Sequence, residues 1–174
     1  MEFMELLLSR RSVREYTGEP VPREKIEKIL EAGLLSPSGR NRRPWEFLVV
    51  ENKEDLLRLS RCREGGVKML EKAGCAVLVF GDPKKTDVWT EDCAIAMSNM
   101  HLMAESLGLG SCWIQGRLRM ADGGETTEEF CRRLFGVPEE LALEAVLSVG
   151  ITENHPKAHL LQEAERGKIH YGTF

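Results

Sequence analysis

Six arginines fall in two short stretches of the first 43 residues, in a chain whose formal net charge is -4. Arg10, Arg11 and Arg14 cluster with Ser12 in SRRSVREY (9–16), and Arg40, Arg42 and Arg43 lie with Ser38 and Asn41 in SPSGRNRRPWEF (36–47). Guanidinium forks beside a hydroxyl are groups that hold a phosphate by several charge-assisted hydrogen bonds. The second stretch cannot be helix. Pro37 and Gly39 interrupt it, and the residue before Pro44 is pushed toward extended geometry. It leads into the apolar run Trp45, Phe47, Leu48, Val49, Val50, which reads as a strand. A polar, cationic loop held by a rigid strand suits an anionic or hydrogen-bonding ligand. A solvated basic turn ahead of a core strand accounts for the same residues.

The chemistries that need a protein nucleophile, a metal or a nucleotide loop have no sequence support. The five cysteines, Cys62, Cys75, Cys93, Cys112 and Cys131, form no CxxC pair and are too widely spaced for a zinc knuckle, an iron-sulfur cluster or a disulfide framework. Buried thiols in a reducing, cytoplasmic compartment are the expectation. Gly108-Leu109-Gly110 follows a helical pattern instead of a strand, so it is no dinucleotide fingerprint; a phosphate-cradling loop ending in Lys-Ser or Lys-Thr, a Gly-x-Ser-x-Gly elbow and a His-Glu-x-x-His helix are all missing. An acidic chain without a recognition motif is not expected to bind nucleic acid. With no long apolar segment and no signal-peptide pattern at its N-terminus, it is not expected to enter a membrane or be secreted.

The length of 174 residues fits one domain spanning 1–174, with ordinary globular composition at 42% hydrophobic and 30% charged residues. Phe3 to Leu8 reads as a short amphipathic helix that anchors the first arginine cluster. Pro22 opens a helix whose Ile26, Ile29, Leu30 and Leu34 repeat at three and four. Two short helices are expected over 53–61 and 67–72. The continuous apolar run Cys75 to Phe80 reads as a strand buried on both sides, which implies helices on both faces of the sheet. The periodic segment 87–107 is apolar on more than one side, so it is central in the fold or contacts a second subunit. His101 interrupts that surface and reads as a surface or hydrogen-bonded residue more than as a base. Gly108 ends the helix ahead of a strand at 112–115, Thr126 or Thr127 caps a helix closed by Gly136, and 141–151 supplies the last strand.

Arg10, Arg11, Ser12, Arg14 and Tyr16, followed by Pro37, Ser38, Asn41, Pro44 and Trp45, resemble the paired N-terminal motifs of the nitroreductase family of flavin-dependent oxidoreductases. Leu107-Gly108 through Trp113-Ile114 is similar to a third family motif. Arg43 stands where most members carry Gln, and Gly150-Ile151-Thr152 lacks the usual Tyr-Pro after the last strand. The resemblance implies an α+β fold with a central mixed sheet covered by helices on both faces, and a homodimer with two FMN molecules at its interface. It implies FMN contacts from Arg10, Arg11, Ser12 and Arg14 of one subunit and from Pro37, Ser38, Asn41 and Arg43 of the other. It places Gly110 near the flavin, and Arg166 or Lys168 near the flavin phosphate. The activity implied is transfer of electrons from NADH or NADPH through the flavin to a small acceptor such as a nitroaromatic or quinone, with the loop around Gly123-Gly124 as a lid. A flavin carrier, or a flavin enzyme of dehalogenating or flavin-fragmenting type, is the alternative.

Overall fold

The computed structural model describes residues 2–174. Its centre is a four-stranded sheet of β1 (Trp45–Val50), β2 (Cys75–Gly81), β3 (Gly110–Gln115) and β4 (Ala142–Gly150), in the spatial order β1-β2-β4-β3. All three ladders are antiparallel, where a mixed sheet was expected. β2 and β3 run in the same direction, but β4 returns between them and pairs with both. Parallel pairing enters at the isolated bridge between Ser12 and Ser111.

The helices are α1 (Phe3–Ser9), α2 (Arg23–Leu34), α3 (Lys53–Leu59), α4 (Trp89–Ser106) and α5 (Thr127–Phe135). Every residue of β2 is buried. Because strand side chains alternate, Cys75, Val77 and Val79 pack with Ile26 and Ile29 of α2 and Met97 and Met100 of α4 on one face. Ala76, Leu78 and Phe80 pack with Leu56 and Leu59 of α3 and Phe130 of α5 on the other. The expected helical cover on both faces is therefore present. α5 shows why local chemistry predicts local structure. The Thr126 hydroxyl accepts from the Glu129 N–H, the Glu129 carboxylate accepts from the Thr126 N–H, and Gly136 closes the helix at φ 67°.

The β2–β4 register slips between Val79 and Phe80, whose partners are Ala145 and Leu143. Glu144 is the extra residue of this bulge. Bulges redirect side chains, and here one buries a carboxyl group near Gln115 and Arg117.

Candidate functional site

After α1 the chain runs extended across the ends of β3 and β4. The Val13 N–H donates to the Ser111 carbonyl at 2.9 Å, and the Thr17 N–H donates to the Ile151 carbonyl at 2.9 Å. Val13 and Tyr16 turn into the core. The Tyr16 hydroxyl donates to the Val13 carbonyl at 2.8 Å and lies 2.8 Å from Ser148 Oγ. Burial pushes its phenol up from its ordinary pKa. Close packing explains two glycines beneath: a Cβ on Gly110 would stand 2.7 Å from Val13 Cγ1, and one on Gly150 would stand 2.7 Å from Tyr16 Cγ. Gly110, expected near the flavin, has Val13 and Thr152 of its own chain packed against it.

With Val13 and Tyr16 inside, the arginines turn outward, each with a different support. The guanidinium Nη1 of Arg10 lies 3.0 Å from Nε2 of His101, whose Nδ1 lies 2.5 Å from Ser111 Oγ. A guanidinium only donates, so Nε2 accepts and the imidazole is neutral, with its proton on Nδ1 donated to Ser111. Burial, reinforced by the Arg10 charge, pushes His101 down to about 4 and keeps it neutral near pH 7. Arg11 donates through Nη1 to the Lys157 carbonyl of the C-terminal segment. Arg14 is exposed, donates to the Ser12 carbonyl at 3.3 Å, and lines a cleft of about 470 Å³. Three cations, Arg14, Lys68 and Lys72, share that cleft with Glu15, Glu71 and Glu153. The two lysines, one helical turn apart in sequence, lie in the short 3-10 helix Lys68–Lys72, where a short helix over 67–72 is expected, but nothing in their spacing marks them as site residues.

The second arginine stretch is organised inwardly. The Gly39 N–H donates to Asp92 Oδ1 of α4 at 2.8 Å, and Asn99 Nδ2, two turns further along α4, donates to Ser36 Oγ at 2.8 Å. Just past these ties Arg40, Asn41 and Arg43 adopt φ of 50°, 56° and 46°. Left-handed backbone costs a side-chain-bearing residue on the order of 1 kcal/mol, less for Asn. The Ser38 hydroxyl accepts the Arg43 N–H at 2.9 Å, and Asn41 Oδ1 accepts Arg43 Nε at 2.8 Å. The candidates Ser38, Asn41 and Arg43 therefore form one hydrogen-bonded unit, beside an exposed Pro37.

α4 separates the two clusters. Asp92 and His101 are nine residues apart, which at 100° per residue places them on opposite sides of the helix and roughly 13 Å apart along its axis. One chain does not bring the two arginine stretches into one pocket. Nor does it bring the tail candidates to Arg10: residues 161–174 are exposed, and Lys168 pairs with Glu165. The tail is tied further back, where the His159 N–H donates to the Leu8 carbonyl at 2.8 Å and His155 Nε2 meets Glu105 at 2.9 Å.

Two other features bear on chemistry. An apolar face crosses α1, the end of α2 and α4, with Phe3 65% and Leu35 85% exposed, around a cleft of about 290 Å³ reaching Leu102 and Met103. On the far side of the sheet edge, a cleft of about 500 Å³ is lined by Trp89, Arg117, Leu118 and Met120, with the Arg117 guanidinium 6.0 Å from the Trp89 ring centre. The cysteines are buried and free, and burial pushes Cys62, Cys75 and Cys93 up to about 12, which leaves them poor nucleophiles.

A model of the nitroreductase family matches residues 7–62 and 56–151. The solved FMN-dependent nitroreductase of Clostridium difficile R20291 is similar to this chain at 41% identity and a TM-score of 0.94, over 98% of this chain and 99% of that one. A protein of Archaeoglobus fulgidus provisionally named an NADH dehydrogenase/NAD(P)H nitroreductase is 37% identical over 153 residues, 86% of this chain and 84% of its own. A provisionally named nitroreductase of Desulfovibrio desulfuricans, solved in complex with FMN, is 28% identical with a TM-score of 0.73, over 92% of each chain.

Proposed function

The chain belongs to the nitroreductase family, and from that premise we propose that it is an FMN-dependent oxidoreductase, working as a homodimer, that passes electrons from NADH or NADPH to a small acceptor such as a nitroaromatic or quinone. The observation that carries this reading is the pair of arginines on the segment bridged to β3 at Ser12: Arg10 and Arg14 stand on either side of the buried Val13, and a neutral imidazole holds Arg10. Donors of this kind fit the phosphate of a mononucleotide.

FMN supplies the two-electron couple. The chain's own residues bind and orient. Arg10 and Arg14 meet negative charge at the phosphate end, and the Ser12 hydroxyl offers a further hydrogen bond there. The unit of Ser38, Asn41 and Arg43 lies on the other side of α4, so it serves the same cofactor only when a second copy presents it. The apolar face of α1, α2 and α4 supports such an arrangement, because an interface of that kind buries surface a monomer leaves in water. Arg166 and Lys168 are the corresponding candidates from the tail. The cleft of Trp89, Arg117 and Met120 suits a flat acceptor, which the guanidinium and indole would hold by their faces.

Purified protein titrated with FMN should bind it saturably, and the loaded protein should lose its visible flavin absorbance on anaerobic addition of NADH or NADPH and regain it with a nitroaromatic or quinone. Failure to take up excess FMN would overturn the reading. Binding without reduction by either donor would replace the oxidoreductase with a flavin carrier.

A further inference from the structure

We infer that His101 is a positioning residue that fixes the Arg10 guanidinium for the phosphate of the bound mononucleotide, an assignment that rests on the cofactor reading above. His101 stands on the buried side of α4 between Met97, Met100 and Ala104, where an apolar side chain would pack without further requirement. A buried imidazole must instead satisfy both ring nitrogens. Each finds its partner on a different element. Nδ1–H donates to Ser111 Oγ on β3, and Nε2 accepts from Arg10 on the segment that follows α1. Ser111 also accepts the Val13 N–H through its carbonyl. One residue of β3 therefore registers the arginine segment by its backbone and the imidazole by its hydroxyl.

The consequence is directional. Arginine reaches its target through a long chain whose rotamers are lost when it binds an anion. A single N–H given to His101 removes much of that freedom beforehand. Because the imidazole is neutral, it fixes Arg10 without neutralising it, unlike a carboxylate, which would compete with the phosphate for the same charge. Among the described residues Arg14 has no comparable side-chain partner, since its hydrogen bond goes to the Ser12 carbonyl two residues away.

The test is a double-mutant cycle read in FMN dissociation constants, with thermal unfolding of each variant as the check on folding. Arg10→Ala should weaken FMN by at least about tenfold, as expected for a hydrogen bond to a charged group. His101→Leu should weaken it by about fivefold in the parent and by less than about twofold in the Arg10→Ala background, because its effect passes through Arg10. His101→Gln, which keeps a neutral acceptor, should recover most of the loss. Should His101→Leu fold too weakly to titrate, Ser111→Ala enters the same cycle, since it releases the imidazole from the other side. A loss of about fivefold for His101→Leu, or of more than about twofold for Ser111→Ala, that falls away in the Arg10→Ala background supports the assignment. Equal losses with and without Arg10, or parental affinity in both single variants at positions 101 and 111, overturn it. Parental affinity in Arg10→Ala overturns the cofactor reading itself, whatever position 101 does.

Discussion

The two arginine stretches look alike in sequence and differ in how their charges are held. In 9–16 the cations point away from a segment whose apolar residues are buried, and their supports come from distant elements: His101 of α4 for Arg10, and the Lys157 carbonyl of the tail for Arg11. In 36–43 the polar side chains close on one another, Ser38 and Asn41 both bonding Arg43, and the backbone is strained at three positions. The first stretch is a set of oriented donors. The second is a turn closed by its own side chains and tied to α4 through Asp92 and Asn99. Clustered charge by itself says little about a site; what holds each side chain decides whether it is presented or consumed.

Acid separates the regions most. The folded-state pKa of His101 is lowered from 6.5 to about 4, so the unfolded chain takes up the proton first and folding loses stability as pH falls between those values. The loss amounts to about 3 kcal/mol. It is absent above the upper value and complete below the lower one. Urea unfolding at pH 7 and pH 4 should show this difference in the parent and not in His101→Gln, and an equal acid loss in both would place the effect elsewhere.

Arg14→Ala probes presentation without a side-chain brace. It should weaken FMN by about 1.5 to 3 kcal/mol while leaving the unfolding midpoint within error. An unchanged dissociation constant would make Arg14 a solvated residue and align the first stretch with the second.

Asp92→Ala acts on the turn instead. Removing the acceptor of the Gly39 N–H should lower the stability of the FMN-free protein by about 1 to 3 kcal/mol, read by urea titration. Parental stability would mean that Asp92 does not fix the turn. Arg43→Ala should cost less, about 0.5 to 1.5 kcal/mol, since the Ser38 hydroxyl still accepts the backbone N–H and only the bond to Asn41 is lost. A larger loss than that of Asp92→Ala would make the arginine, and not α4, the organiser of the turn.

The elements were largely legible because their causes are local. The run Cys75 to Phe80 is apolar at every position since β2 is covered on both faces, and the Thr126 cap and Gly136 stop bracket α5. What escaped depends on pairing at long range. β4 inserts between β2 and β3, and a single extra residue at Glu144 redirects a side chain, yet neither leaves a periodicity to read. Arg10 and His101 lie 91 positions apart. His101 was legible only as a hydrogen-bonded candidate, because no spacing announces its partner. Gly110 was legible as a place of close approach, but the group approaching within the chain is Val13. Arg166 and Lys168 carry the right charge on a segment the fold leaves in solvent.

On the proposed reading, the two stretches, which lie on opposite sides of α4, meet at one cofactor through a second copy of the chain. Sedimentation of the FMN-loaded protein across a dilution series, with flavin content and NAD(P)H oxidation read on the same samples, tests this directly. The account predicts a particle of twice the chain's 19.6 kDa that releases FMN and loses activity together as it dissociates. A 19.6 kDa particle that keeps its flavin and full activity would contradict it.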